Sequence, residues 1–69
     1  MYTIKRECYN DKTYNGFIDN PYWLITFDHY TIGLKDDGWY WEVTNNRISE
    51  YAKEMIQIIV DECKLNIRL

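Results

Sequence analysis

The stretch from Tyr30 to Val43, Tyr-Thr-Ile-Gly-Leu-Lys-Asp-Asp-Gly-Trp-Tyr-Trp-Glu-Val, constrains this chain more than any other. Asp37-Gly38 can supply the positive φ angles of a tight type I′ turn, and alternating apolar residues flank it on both sides. It reads as a β-hairpin and commits the chain to an antiparallel sheet. A two-residue loop sets Leu34 opposite Trp41 and Ile32 opposite Val43, and a four-residue loop over 35–38 keeps that parity. Either loop gathers Ile32, Leu34, Trp39, Trp41 and Val43 on one face. A three-residue loop would set Ile32 against Glu42 and split the apolar set, so an even loop is expected. Tyr40 is then displayed on the other face beside Lys35 and Glu42, near the tip acids Asp36 and Asp37. Gly33 leaves room for a large cross-strand neighbour, Tyr40 if the loop has four residues.

Two more strands precede the hairpin. Residues 2–9 alternate, with Tyr2, Ile4 and Cys8 on one side and Thr3, Lys5, Glu7 and Tyr9 on the other; Arg6 interrupts the apolar side, at its margin or at a sheet edge. Residues 10–21 carry the turn signals Asn10-Asp11, Asn15-Gly16 and Asp19-Asn20-Pro21, and read mostly as loop. Within it Asn15-Gly16 can close a miniature hairpin in which Tyr14 faces Phe17. Tyr22–Asp28 is the next strand, with Trp23, Ile25 and Phe27 on one face and Tyr22, Leu24 and Thr26 on the other. Phe27 and Ile32 are out of phase, and a tight turn at Asp28-His29 is favoured over a bulge to reset them.

Helical periodicity begins after Thr44-Asn45-Asn46, either asparagine serving as cap. The apolar arc, from Ile58 through Tyr51, Met55, Ile48, Ile59, Ala52, Cys63 and Ile56 to Val60, is broken only by Glu62. It covers about 200° where a helix on one sheet needs somewhat over roughly 100°. Its flanks need a second cover: the tail 65–69, the loop carrying Phe17 and Ile18, or another subunit. The tail alternates Leu65, Ile67 and Leu69 against Asn66 and Arg68, the pattern of a short final strand. The expected fold is α+β, one domain over 1–69: a four-stranded, mainly antiparallel sheet with one long C-terminal helix on one face.

At 69 residues such a domain has a marginal core and needs a supplement. Cys8 and Cys63 are expected to be free and mostly buried, because no apolar signal segment precedes them and the cytoplasm keeps thiols reduced. His29 is the only histidine, and the cysteine spacing fits no zinc pattern, so no metal or cofactor is expected. Oligomerisation remains, and a homodimer is expected. No apolar run is long enough to span a membrane.

Little here points to catalysis. Asp28-His29 beside Tyr30 lacks a nucleophile placed to use it, Cys8 between Glu7 and Tyr9 has no reason for a lowered pKa, and Asp36-Asp37-Gly38 lacks the ligand ladder of a calcium loop. The net charge of −3, from 11 acids and 8 bases, argues against a sequence-independent grip on phosphates. Aromatic residues make up 17% of the chain, and aromatics rimmed by charge are enriched at protein interfaces. Tyr40, Asp36, Asp37, Glu42, Lys35, Tyr14 and Phe17 are therefore the expected partner-binding residues, for another protein with a basic surface. The acids on the turns and along Glu50, Glu54 and Asp61 would also suit mimicry of nucleic acid. In size, acidity and aromatic content the chain is similar to small phage-encoded inhibitors of host proteins, anti-CRISPR proteins among them. That resemblance implies a non-enzymatic inhibitor in the host cytoplasm. The alternative is a binder of small ligands or single-stranded oligonucleotides on a Trp/Tyr stacking platform.

Overall fold

The computed structural model describes residues 1–44 and 47–69. Strands β1 (Tyr2–Thr13), β2 (Gly16–Phe27), β3 (Tyr30–Lys35) and β4 (Tyr40–Glu42) form one antiparallel sheet in the order β1-β2-β3-β4, followed by helix α1 (Glu50–Glu62). The α+β architecture is the one expected. Register fixes two faces. Tyr2, Ile4, Trp23, Ile25, Phe27, Tyr30, Ile32, Leu34 and Tyr40 point to the helix side; there Ile25, Phe27, Ile32 and Leu34 bury against Ala52, Ile56, Ile59 and Val60. Each fully buried Ile or Leu side chain contributes about 1.5–3 kcal/mol through removal from water.

The helix starts where a side chain can satisfy its first amides. Ser49, extended at φ −75 and ψ 164, accepts from the Ala52 N–H at 3.1 Å, and its hydroxyl lies 2.8 Å from Tyr30 Oη. Ser49 is thus the cap; the asparagine caps expected at 45 and 46 fall outside the described residues. At the other end Lys64 takes φ 54, so that its N–H donates to the Asp61 carbonyl and the Leu65 N–H to that of Val60, which closes the last turn and reverses the chain. The helix crosses from β3, at Tyr30, to β1, where Tyr2 Oη meets Cys63 Sγ at 3.3 Å and donates to Glu62 at 3.0 Å. The tail forms no strand. It packs Leu65 and Ile67 on the core and brings the Arg68 carbonyl against Gly38. It covers part of the sheet, while the flank of the helix arc at Tyr51 and Ile58 stays about half exposed.

Two other expectations change. Residues 10–21 are paired strand and not loop: β1 and β2 run in register from Tyr2↔Phe27 to Thr13↔Gly16. The turn signals at Asn10-Asp11 and Asp19-Asn20-Pro21 are absorbed into the ladder, where Asn20 donates to Asp11 at 2.9 Å and to the Ile18 carbonyl at 3.2 Å. The chain turns at Tyr14-Asn15, one residue before the expected Asn15-Gly16; Gly16, at φ +130, already pairs with Thr13, and Phe17 faces Lys12 where Tyr14 was expected. The pairs beyond Tyr22↔Lys35 have no third strand, so 8–13 and 16–21 project as a two-stranded arm. Cys8, expected to be buried, is exposed on it. The Asp28-His29 turn forms as favoured, with Asp28 at φ 50 and Phe27 paired with Tyr30.

The second change concerns the hairpin. Ile32 faces Glu42 and Leu34 faces Tyr40, the odd register that sequence reasoning rejected. The Gly38 N–H donates to the Lys35 carbonyl at 2.9 Å, the Lys35 N–H to that of Trp39 at 2.8 Å, and Gly38 takes φ +95. Asp36 and Asp37 are absent from the positive-φ residues, so the loop is a three-residue turn with a glycine bulge and not type I′. Trp39 and Trp41 therefore face away from the helix, and Tyr40 faces it.

Candidate functional site

The face that the helix leaves open carries a continuous row of rings. Reading across it, Glu7, Tyr22 and Lys35 lie in one rank, and Lys5, Leu24, Gly33 and Trp41 in the next. Tyr9 on β1 lies 5.9 Å from Tyr22 on β2, Tyr22 lies 5.2 Å from Trp41 on β4, and Trp41 stacks on Trp39 at 5.2 Å with 29° between planes. The row spans the sheet although β3 supplies no ring. Gly33 explains how: a Cβ there would collide with the six-membered ring of Trp41, so the glycine is the seat of that indole. Trp39 remains 59% exposed, with Lys35 Nζ 6.0 Å from its centroid.

The expected site residues are distributed differently. Tyr40 is half-buried and packs on the core side. Glu42 also faces that side, its Oε1 accepting from the Thr31 N–H at 3.2 Å, the Thr44 N–H at 2.7 Å and the Thr44 hydroxyl at 2.9 Å. Asp37 Oδ1 accepts from the Trp39 N–H at 3.0 Å and so shapes the turn. Asp36 takes both guanidinium nitrogens of Arg6, at 2.8 and 2.7 Å, and these bonds hold its carboxyl below the usual carboxylate value, against the opposing effect of burial. Arg6 in turn stacks over Trp23 at 4.6 Å, and beside the pair Asn66 and Ile67 complete a cleft of about 450 Å³ on the helix side. Tyr14 and Phe17 are exposed on the arm. Of the seven, Lys35 alone joins the aromatic row.

Tyr9, Tyr22, Trp39 and Trp41 are the residues that sequence reasoning passed over as a surface. It did place Tyr9 opposite Tyr2, Ile4 and Cys8, and Tyr22 opposite Trp23, Ile25 and Phe27; what it lacked was the odd loop that brings the tryptophans to join them. Asp28 Oδ2 accepts from the Tyr51 hydroxyl at 2.6 Å, a contact that pins the β2–β3 turn to the helix and raises the phenol pKa. Among the described residues no group of three or more His, Cys, Asp or Glu is placed to hold a metal ion, and no helix is long and apolar enough to cross a membrane. Fold and surface together define a small α+β protein with one covered and one aromatic sheet face. The chain matches no family model, no curated protein and no solved structure.

Proposed function

We propose that this chain is a non-enzymatic protein-binding module whose contact surface is the open sheet face, with Trp39 as its exposed anchor. The observation that carries this reading is the unbroken row Tyr9–Tyr22–Trp41–Trp39 on the face opposite the helix, which none of the described elements covers. Rigid aromatic side chains bury much area at little entropic cost, and truncation of such anchors typically costs about 2 kcal/mol or more of binding. The charges beside the row are mixed, Lys5 and Lys35 with Glu7, while Asp36, Glu42 and the helix acids turn elsewhere. The aromatic surface is therefore set apart from most of the acidic one, Glu7 and Asp37 excepted. An inhibitor of a host protein, as the compositional similarity to phage-encoded inhibitors implies, would use the first for affinity and the second for electrostatic steering.

One observation favours the stacking-platform reading second: of the acids expected around the rings, Asp36 and Glu42 turn elsewhere and Asp37 alone stays beside Trp39, while two lysines flank the row. Two cations give a weak phosphate track, so a protein partner is preferred. The test compares wild type, Trp39→Ala and the helix variant Glu54→Lys with Asp61→Lys as bait in lysate. A protein retained by wild type and the helix variant, and weakened at least about 30-fold by Trp39→Ala, supports the module. Capture that is indifferent to Trp39 overturns it. Tryptophan fluorescence that responds to short single strands at low salt shifts the assignment to the platform.

A further inference from the structure

We propose that two copies of this chain associate through their β1 edges, antiparallel and centred on Cys8, to form one eight-stranded sheet. β1 is twelve residues long and lies at the edge of the sheet, so one side of its backbone has no strand partner. Its outer half belongs to the arm, whose pairs Cys8↔Pro21 to Thr13↔Gly16 stand alone, and a lone two-stranded ribbon is marginal in water. The arm's other edge is blunted by Pro21, which lacks an amide hydrogen. The β1 edge carries no proline.

Residues directly opposite each other in an antiparallel pair share a face, so a two-fold axis through such a pair must set one residue against its own copy. Charge and paired length together select the residue, because centring on Ile4 or Asn10 also opposes no like charges but pairs only residues 2–6 or 7–13 of the strand. Centring on Arg6 or Glu7 places identical charges face to face. Centring on Tyr9 sets Glu7 against Asp11 and Arg6 against Lys12, each twice. Centring on Cys8 sets Lys5 against Asp11 twice, opposes no like charges, and pairs residues 3–13 in full. Among the described residues Lys5 and Asp11 take part in no ion pair within the chain, and both are exposed. The arm of each copy gains the partner's β1 as its third strand. On the open face Tyr9 of one copy becomes the diagonal neighbour of Tyr9 of the other, about 7–8 Å away, so the two aromatic rows meet. The backbone pairing uses an edge. Although Lys5, Tyr9 and Asp11 border the face assigned above to a protein partner, the anchor Trp39 on β4's side of the sheet is untouched by that pairing, so either can fail alone.

Sedimentation equilibrium tests it by charge reversal. Wild type is expected to dimerise at tens of micromolar, roughly the range of modest interfaces. Lys5→Asp and Asp11→Lys should each weaken association at least about tenfold, by setting like charges opposite each other twice, and the double variant should restore it. Both sites are exposed, and circular dichroism confirms that the variants fold. In a Cys63→Ser background a short bifunctional thiol reagent should link Cys8 to Cys8, whose Cα atoms would lie about 5 Å apart. A wild type that stays monomeric to roughly 100 micromolar overturns the proposal. So does a dimer indifferent to the single reversals, a double variant that is not restored, or a dimer with no Cys8 link.

Discussion

Gly33 is the residue on which the open face depends. Its backbone requires no glycine through φ, since it is absent from the positive-φ residues; the requirement is space, because the Trp41 indole occupies the volume of a Cβ. Gly33→Val should therefore lift Trp41 from the sheet and break its contact with Tyr22, at a cost of about 1–3 kcal/mol for overpacking. A red-shifted tryptophan emission with a retained, lower melting temperature is the expected readout; unchanged emission would mean that the ring sits elsewhere. The sequence showed that Gly33 faces something large but assigned the slot to Tyr40. The error was physical. Tryptophan was treated as core by its hydrophobicity, whereas the position opposite Leu34 accepts the smaller Tyr40, and the one opposite Ile32 accepts Glu42 because Thr31 and Thr44 donate to its carboxylate. A hydrophobic pattern cannot see a carboxylate oxygen held by three donors.

At the scale of elements, α1 was legible because its signal is repeated over many residues, and its cap was not because caps are decided by one side chain. Ser49 both accepts from the Ala52 N–H and meets the Tyr30 hydroxyl, so it joins helix to sheet. Ser49→Ala should cost about 1–2 kcal/mol, at the upper part of the range for caps. A melting curve that does not shift would show that another group caps the helix. The arm was illegible for a related reason. Asn10, Asp19, Asn20 and Pro21 are each poor strand residues, but in the ladder Asn20 bonds Asp11 and the Ile18 carbonyl, and Pro21 sits where β3 has ended, so no ladder bond is lost on that side. Local propensity yielded to pairing with a strong neighbour, the continuous β1.

For the whole molecule, the α+β class followed from strands before and a helix after, and the structure shows that class. Layering adds what a linear pattern cannot: helix and tail cover one face, so the other must be the interface or an unprotected surface. The proposed function rests on that division, and the division rests on the odd register of β3 and β4. Nuclear Overhauser contacts from the Trp41 indole protons test it most directly. The account predicts contacts from Trp41 to the Gly33 α-protons and the Tyr22 ring, with none to Ile56 or Ile59. Contacts from Trp41 to those helix residues, with Tyr40 seen only by solvent-facing neighbours, would contradict it.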